Sequence, residues 1–381
     1  MKISQQHFLK GTWQQHSQTE DFDSSVCQLV FMFGAGTVVT LPEVFNYIRT
    51  QYPKADIVSC STSGEIMDDG VYDDTVSVIA IQFDHTQVRC AKMSVVKGNN
   101  SFETGKVLMK ELDAEDLVTV FVISEGSFSN GSELVNGLNS NNHKKIPITG
   151  GMAGDADRFQ KTQVGLNAIP SEGNVVAVGF YGTRLQIGHS SFGGWDEFGR
   201  ERLITRSDKN VLYEIDGRNA LDLYKEYLGP YVNELPGSAL FFPLSMRIGD
   251  SGKSLVRTIL AISEEDKSMT FAGNLPEGSK VRLMKANFDR IINGSSVAAK
   301  HALEDEGNKK APQLAILISC VGRKLILQER TYEEVKAAKD IFGPETAITG
   351  FYSYGELSPF NQDSNCELHN QTMTITTFSE I

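Results

Sequence analysis

Two Gly-Glu pairs are the first places in this 381-residue chain where the residue types suggest chemistry. They are Gly64-Glu65 and Gly355-Glu356, and each follows a β-rich run and precedes an apolar residue. Glycine allows positive φ or a close approach to the backbone, so a carboxylate beside it reaches either backbone N–H groups or a cationic ligand. We predict a ligand-binding role for Glu65, Gly355 and Glu356. Capping of a loop by the glutamate in each half is an equal alternative.

Two of the seven histidines, His369 and His189, are candidate metal ligands. His369 precedes Asn370 in a polar stretch, and His189 stands beside a glycine and close to aromatic residues. A neutral imidazole binds metal ions well, but a histidine near the end of a strand is more often hydrogen-bonded within the protein. The residues alone leave both interpretations open.

The elements that position the Gly-Glu pairs form a repeat. In each copy an apolar strand leads into a helix, and the glycine of the pair follows 20 residues after a helix valine, Val44 or Val335. An alternating strand then ends the copy. Matched order and spacing over about fifty residues predict a duplicated strand–helix–strand–strand unit, residues 29–83 and 314–378.

The second copy has a longer segment after its glycine. Gly64 lies 12 residues before the final strand of the first copy, whereas Gly355 lies 18 residues before that of the second. The additional residues include Cys366, His369 and Asn370. Because loops tolerate insertions and frequently carry binding residues, we expect this segment to be a loop that contributes to a site.

The composition argues against several classes of protein. A net charge of −12 argues against nucleic-acid binding, which normally requires a basic face. No apolar run approaches the roughly 20 residues of a membrane span, and the N-terminus lacks the apolar core of a signal peptide. Five dispersed cysteines without a CxxC pair argue against a disulfide framework and fit a reducing cytoplasm.

The sequence motifs of common enzymes are missing. The chain contains no GxSxG, HExxH, GxxxxGK[ST] or helix-opening GxGxxG. The GAGT turn at Gly34 is only a weak match to a phosphate loop, and the Ser-Glu-Gly turn at Ser124 has no predictable histidine beside it. We interpret both as ordinary turns at strand ends. An enzyme of unknown chemistry therefore ranks third among the possible functions, behind the two that are given at the end of this subsection.

Apolar strands alternate with helical runs near both ends of the chain, and a more antiparallel region lies between them. This pattern predicts an α/β fold with mixed sheets flanked by helices. We place a domain boundary near Asp216-Gly217, where a strand-like stretch gives way to helical periodicity.

Nine stretches in order resemble the FIST family, whose members join a FIST N-terminal domain to a FIST C-terminal domain. They are SCSTSGEI (59–66), TGGMAGD (149–155), IDGRNALDLYKEYLG (215–229), FFPLSMRIG (241–249), LVRTIL (255–260), GNLPEGSKVRLM (273–284), SCVGRKLIL (319–327), GFYSYGELSP (350–359) and LHNQTMTI (368–375). The resemblance implies an N-terminal domain over residues 26–216 and a C-terminal domain over residues 217–381. Residues 1–25 are polar and irregular, and we interpret them as a lead-in that forms either a short strand or a tail facing a partner.

The resemblance implies a cytoplasmic signal-transduction module that binds a small ligand and has no catalytic activity. FIST proteins are commonly encoded with, or fused to, histidine kinases, chemoreceptors or cyclic-di-GMP enzymes. Because this chain has no room for such an output domain, we expect it to regulate a separate histidine kinase or cyclic-di-GMP enzyme. The favoured prediction is a protein that binds haem and senses nitric oxide, and the alternative is a haem-free sensor of a small metabolite such as an amino acid. The formation of a homodimer is left open.

One branch of the family, the nitric-oxide-sensing haem proteins called NosP, resembles the stand-alone form of this chain. That branch needs a histidine that ligates the haem iron. The resemblance makes His369 the first candidate for this ligand and His189 the second. The chain contains no CxxCH motif, so the haem would be held non-covalently. Its apolar pocket would be walled by four aromatic residues, Phe351, Tyr352, Tyr354 and Phe360.

Overall fold

The computed structural model describes residues 1–95, 100–235, 237–247, 254–307, 311–361 and 364–381. The strands are β1 Lys2–Leu9, β2 Thr12–Gln18, β3 Leu29–Gly34, β4 Asp56–Ser61, β5 Glu65–Met67, β6 Gly70–Tyr72, β7 Val76–Gln82, β8 Gln87–Ser94, β9 Leu117–Ser124, β10 Ile148–Met152, β11 Val164–Leu166, β12 Asn174–Tyr181, β13 Leu185–Phe192, β14 Asp196–Asp208, β15 Val211–Ile215, β16 Arg218–Asn219, β17 Leu244–Arg247, β18 Ser254–Arg257, β19 Ile259–Ser263, β20 Ser268–Phe271, β21 Lys280–Lys285, β22 Leu314–Cys320, β23 Ala347–Ser353, β24 Gly355–Pro359, β25 Cys366–His369 and β26 Met373–Glu380. The α-helices are α1 Gly36–Val39, α2 Pro42–Gln51, α3 Ser101–Leu112, α4 Gly131–Ser140, α5 Ala220–Leu228, α6 Phe288–Glu306, α7 Val321–Leu327 and α8 Thr331–Phe342. Within these ranges, no helix has the length and apolar character needed to cross a membrane.

Three six-stranded sheets surround one apolar core. Their strand orders are β11-β4-β3-β7-β1-β2 in sheet 1, β25-β24-β10-β9-β12-β8 in sheet 2 and β13-β26-β22-β23-β5-β6 in sheet 3. The ring of Phe31 lies 5.3 Å from that of Phe121 in sheet 2, and the ring of Phe33 lies 4.8 Å from that of Phe351 in sheet 3. Helices cover the outer faces: α2 on sheet 1, α3 and α4 on sheet 2, α6 and α8 on sheet 3. The predicted α/β class, with mixed sheets flanked by helices, is confirmed.

Each sheet is built around the same arrangement of three strands. The order is β4-β3-β7 in unit 1 (residues 29–82), β10-β9-β12 in unit 2 (residues 117–181) and β23-β22-β26 in unit 3 (residues 314–380). The central strand always pairs in parallel with one neighbour and antiparallel with the other. Units 1 and 3, which the repeat predicts, share this order, and their superposition stays a prediction. Unit 2 is a further copy that the sequence did not predict.

Each unit gives its remaining strands to a neighbouring sheet. Strand β5 of unit 1 pairs with β23 of unit 3, β24 of unit 3 pairs with β10 of unit 2, and β11 of unit 2 pairs with β4 of unit 1. The exchange is cyclic, so every sheet contains strands of two units. Both Gly-Glu pairs lie where the chain crosses, because Glu65 begins β5 and Gly355 begins β24.

An antiparallel barrel, residues 196–285, is inserted between β13 and α6. Its strand order is β18-β17-β21-β14-β15-β20-β19, and only Thr258 separates β18 from β19, so the sheet closes on itself. The apolar face of α5 packs against this sheet. The predicted boundary at Asp216-Gly217 falls inside the barrel, where β15 pairs with β16 and Glu214 faces Asn219. Residues 1–192 and 288–381 together form the three-sheet body.

The N-terminal residues form two strands of sheet 1, so of the two alternatives for residues 1–25 the structure has the strand and not the tail. Strand β1 pairs along its length with β7, and β2 folds back on β1. Gln5 is buried, and its Nε2 donates to the carbonyl oxygen of Ile348 (2.8 Å). The sequence left a strand and a tail both open, because polar side chains of β1 such as Gln5 are buried by hydrogen bonding rather than by apolar contact.

The additional segment of unit 3 forms strand β25, so the expectation of a loop at His369 is wrong. This strand pairs antiparallel with β24, which places His369 opposite Glu356 and Leu368 opposite Leu357. Cys366 and Leu368 are buried in the apolar core between sheet 2 and its helices. Alternate burial over only four residues is too short a pattern for the sequence to distinguish a strand from a loop. Residues 362 and 363 of this segment lie outside the described ranges.

Candidate functional site

A cavity of about 660 Å³ lies between the three-sheet body and the barrel. The body contributes the first turns of α3 and α4, the loop of residues 126–130, Met152 and Tyr354. The barrel contributes Lys209 and Phe271 with their neighbours. Because β9 and β10 are parallel and end beside this cavity, it occupies the crevice at the carboxyl ends of strands where α/β sheets usually bind ligands.

The buried carboxylate of Glu125 shapes the loop that follows β9. It accepts hydrogen bonds from the backbone N–H groups of Ser127 (2.9 Å), Phe128 (2.7 Å) and Ser129. The hydroxyl of Thr162 also donates to it, at 3.2 Å. Three successive N–H groups that form an anion-binding nest in other proteins are therefore occupied by a side chain of the loop itself.

Asn274 joins the barrel to the first turn of α4. Its Oδ1 accepts from Nδ2 of Asn130 (2.9 Å), and its Nδ2 donates to Oε1 of Glu133 (2.8 Å). Its backbone N–H donates to the hydroxyl of Ser132 (3.0 Å). Asn130 also caps α4 by accepting from the backbone N–H of Glu133 (3.0 Å). These bonds hold the barrel over the cavity by polar contacts.

Aromatic and apolar side chains surround the mouth of the cavity. Phe159 stacks on Tyr354 with ring centroids 4.6 Å apart and planes at 18°. The backbone N–H of Phe159 donates to the tyrosine oxygen (3.0 Å), whose hydroxyl donates to the carbonyl oxygen of Ala156 (3.2 Å). Burial raises the pKa of Tyr354 to about 12. Phe102, Phe159 and Leu260 are 36%, 44% and 45% exposed, which is high for large apolar residues.

Glu65 is fully buried and is capped by hydroxyl groups. Oε1 accepts from the hydroxyl of Thr62, and Oε2 accepts from both the hydroxyl (2.7 Å) and the backbone N–H (3.2 Å) of Thr75. Burial raises the pKa of Glu65 to about 7, because loss of solvation outweighs the hydrogen bonds that favour the carboxylate. This geometry matches the capping alternative.

Glu356 has the same surroundings in unit 3. Oε1 accepts from the hydroxyl of Ser353 (2.8 Å), and Oε2 accepts from the hydroxyl (2.9 Å) and the backbone N–H (3.2 Å) of Thr372. Burial raises the pKa of Glu356 to about 8. In both units the partners lie three residues before the glutamate and immediately before the last strand. The glutamates of the two Gly-Glu pairs therefore make equivalent hydrogen bonds and cap equivalent turns in units 1 and 3.

His369 is enclosed by protein. Its side chain is 3% exposed, Nε2 lies 2.9 Å from the carbonyl oxygen of Ser358, and the ring of Phe360 packs edge-on at 5.0 Å. Burial lowers the pKa of His369 to about 4, so the ring is neutral and Nε2 carries the proton donated to Ser358. A neutral ring is the form that binds metals, but this nitrogen is already in use.

His189 lies in sheet 3, apart from His369 in sheet 2. Its Nε2 is 3.5 Å from Oδ2 of Asp305, and burial lowers its pKa. Within the described ranges, no three His, Cys, Asp or Glu residues are grouped to hold a metal ion, and neither histidine lines the cavity. The surroundings of both histidines therefore do not fit a haem group as they stand, because each ring is enclosed by protein.

The other predicted residues are divided between the cavity and the core. Tyr354 lines the cavity, and Gly355, opposite Met152 in the sheet, lies just behind it. Asn370 is buried and donates from Nδ2 to the carbonyl oxygen of His369 (2.9 Å). Tyr352 is buried elsewhere, in an ion-pair cluster between sheet 3 and its helices.

That cluster is centred on Arg323 and Glu334, both fully buried. The guanidinium donates to Oε2 of Glu334 from Nε (2.9 Å) and Nη2 (2.6 Å). It also donates to the carbonyl oxygens of Gly193 (2.6 Å) and Ile291 (2.8 Å). Gly193 lies where the chain enters the barrel, and Ile291 lies shortly after the chain leaves it. The hydroxyl of Tyr352 donates to Oε1 of the same glutamate (2.7 Å). The predicted ligand-binding tyrosine is thus part of a buried polar network.

Sequence reasoning missed most of the cavity. From the sequence, the Ser-Glu-Gly turn after β9 is predicted to be an ordinary turn, because no histidine is predicted to lie beside it. The useful signal was its position, a polar turn at the carboxyl end of a fully apolar strand. Nothing in the sequence indicated that Lys209, Phe271 and Asn274 fold back over that turn.

Comparison with known proteins agrees with this architecture. Residues 28–218 match the FIST N domain and residues 220–359 match the FIST C domain. These are in general ligand-sensing signalling domains and are not known as catalysts. The chain is also similar to an uncharacterized protein of Methanocaldococcus jannaschii, with 24% identity over 352 residues that cover 83% of this chain and 67% of the relative. The two domain matches together span most of the sequence, and the chain belongs to the FIST family.

Proposed function

We propose that this protein senses a small molecule bound in the cavity between the three-sheet body and the barrel. The observation that carries the proposal is the composition of that cavity. Its walls come from both parts of the molecule, and Asn274 holds the two parts together across it by side-chain hydrogen bonds. A ligand that contacts both parts changes the free energy of their association, which is how binding is converted into a conformational signal.

The signal is read by a separate protein in this proposal. A histidine kinase or a cyclic-di-GMP enzyme is the partner that the family resemblance implies. The acidic net charge of the chain, −12, favours a basic docking face on that partner. The ligand of the haem-free alternative, a small metabolite such as an amino acid, is compatible in size with a cavity of about 660 Å³.

Filling the cavity should abolish ligand binding while the fold survives. Ser127 is exposed and lines the cavity, so the Ser127→Trp variant places a bulky ring where the ligand would lie. A ligand present at 100 times its Kd stabilises the native protein by about 2.7 kcal/mol. Metabolites that raise the Tm of the native protein in a thermal-shift screen should therefore lose their effect in Ser127→Trp.

The matched control is Asn136→Trp, which adds the same ring to an exposed position of α4 that does not line the cavity. This variant should keep every thermal shift of the native protein. Metabolites that stabilise Ser127→Trp as well as the native protein would show that they bind elsewhere. A complete metabolite screen without any stabilising compound would reject the proposal.

Haem-based sensing of nitric oxide is a more specific form of the proposal, and it is supported only by the resemblance. It requires His369 to exchange the carbonyl oxygen of Ser358 for iron. Titration with haemin should then produce a Soret band that His369→Ala removes and His189→Ala retains. Glu356, opposite His369 in the sheet, is the candidate to orient the ring. The spectrum of free haemin alone, or an unchanged band in His369→Ala, would eliminate His369 as a haem ligand.

A further inference from the structure

We infer that the cavity selects small protonated amines that carry an aromatic or branched apolar body. This inference rests on the proposed function, because it assigns a ligand class to the same cavity. Three features carry it. The backbone N–H groups of residues 127–129 are occupied by Glu125, the ionised side chains among the described lining residues are mainly acidic, and five of those residues are aromatic.

Anionic ligands are disfavoured at the ends of both helices that border the cavity. The positive ends of helix dipoles normally attract anions. However, α3 and α4 each carry a glutamate in the first turn, Glu103 and Glu133. The neighbouring N–H groups of residues 127–129 already donate to Glu125. A phosphate or carboxylate at this place would meet two carboxylates, and the N–H groups of residues 127–129 would not be free to hold it.

Glu133 is the residue best placed to bind an ammonium group. It is half-buried, which strengthens an ion pair relative to one at the surface. Its Oε1 accepts from Asn274 and is thereby held in position. Among the described residues, none donates a hydrogen bond to Oε2. Glu103 is a weaker site, because its side chain is 62% exposed and Lys106 lies 3.8 Å from it.

The aromatic walls suit the rest of such a ligand. Five aromatic residues line the cavity: Phe102, Phe128, Phe159, Phe271 and Tyr354. Aromatic faces attract organic cations and also pack against apolar groups. The exposed rings at the mouth, Phe102 and Phe159, bury apolar surface when a ligand with an apolar body covers them.

Lys209 is the basic residue of the lining within the part of the chain that the structure describes, and it lies on the barrel side. Among the described residues that line the cavity, one lysine against Glu103 and Glu133 gives a net charge of −1, which favours a cation over an anion. The lysine also offers a partner for a carboxylate on the same ligand. Two kinds of ligand carry the ammonium group that the cavity would recognise, namely simple amines and amino acids.

Isothermal titration of the full chain with four related probes tests the inference. The probes are 2-phenylethylamine (cation), 2-phenylethanol (neutral), 3-phenylpropanoate (anion) and phenylalanine (zwitterion). We expect the amine to bind at least about tenfold more tightly than the alcohol or the anion. The Glu133→Gln variant should weaken amine binding by about tenfold and leave the affinity for the alcohol unchanged. Glu103→Gln provides a second variant at the same cavity, with a smaller loss expected.

The affinity for phenylalanine distinguishes amino acids from simple amines as the ligand. Tighter binding of phenylalanine than of the amine, reduced to the level of the amine in Lys209→Met, identifies amino acids. Equal or weaker binding identifies simple amines, and either result supports recognition of the ammonium. The matched control is Glu111→Gln, which removes an exposed carboxylate of α3 outside the cavity.

Two results would overturn the ammonium inference. One is binding of 3-phenylpropanoate as tight as that of the amine. The other is unchanged affinity for the amine in Glu133→Gln while Ser127→Trp abolishes it. Binding of other metabolites that Ser127→Trp abolishes, together with no binding of any amine, would reject the ligand class and leave the cavity proposal standing. Binding that is insensitive to Ser127→Trp would reject both.

Discussion

The Arg323→Met variant should be less stable than the native protein by about 3–5 kcal/mol. Removal of the guanidinium leaves the carboxylate of Glu334 fully buried without its counter-ion, with only hydroxyl donors such as that of Tyr352. It also removes the donors to the carbonyl oxygens of Gly193 and Ile291. Urea denaturation followed by circular dichroism measures the loss as a lower midpoint at constant m-value.

Two further variants separate the buried charge from the loss of packing. The double variant Arg323→Met/Glu334→Leu should recover a large part of the stability, because an apolar pair of similar volume does not leave a charge unpaired. Arg330→Met, which breaks the exposed pairs with Asp289 and Glu333, should leave the midpoint nearly unchanged. An Arg323→Met protein as stable as Arg330→Met would contradict the assigned role of the cluster.

The stability of the protein should fall as the pH rises from about 5 to 8, and two carboxyl groups should account for much of the slope. The folded-state pKa values of Glu65 and Glu356 are raised to about 7 and about 8, from an ordinary value of 4.5. At pH values between 4.5 and the folded-state pKa of each group, the folded state keeps a proton that the unfolded state releases. Their stabilising effect is therefore complete below pH 4.5 and is lost as the pH rises to the folded-state values.

The expected slope is about 1.4 kcal/mol per pH unit for each carboxyl group. Glu65→Gln/Glu356→Gln should flatten the profile, because an amide keeps the size of the protonated acid and does not ionise. Urea midpoints at pH 5, 6, 7 and 8 measure the difference, with Glu111→Gln as the exposed control. A double variant whose stability changes with pH as steeply as that of the native protein would show that these groups titrate normally.

The sequence predicted the fold class and two of the three units, but not the cavity. Gly64-Glu65 and Gly355-Glu356 were recognisable because the chain uses the same turn in units 1 and 3. Unit 2 was missed because it has Asp155 at the corresponding Gly-acid step and gives one short strand, β11, in place of a hairpin.

The site was harder to predict because its walls come from remote segments. Tyr354 is the predicted site residue that lines the cavity, while Lys209, Phe271 and Asn274 reach it only when the barrel folds back. Hydrophobic periodicity reports which face of an element is buried and does not report which surface covers it. The predicted loop at His369 is wrong for the same reason, since three of the four residues of β25 are buried by contacts with remote parts of the chain that their own pattern does not reveal.

The cyclic exchange of strands has a consequence for folding. Ile66 pairs with Gly350, and Gly151 pairs with Glu356, so the contacts that complete sheets 2 and 3 join parts of the chain that are synthesised far apart in time. Contacts of this kind carry a high loop-closure cost before they stabilise anything, which slows folding. Until unit 3 is made, β10 lacks the strand that covers its edge, and an uncovered strand edge invites pairing with other chains. We therefore expect the body to fold and unfold as a single cooperative unit, and a chain shortened at its C-terminus to carry the aggregation risk of an open sheet.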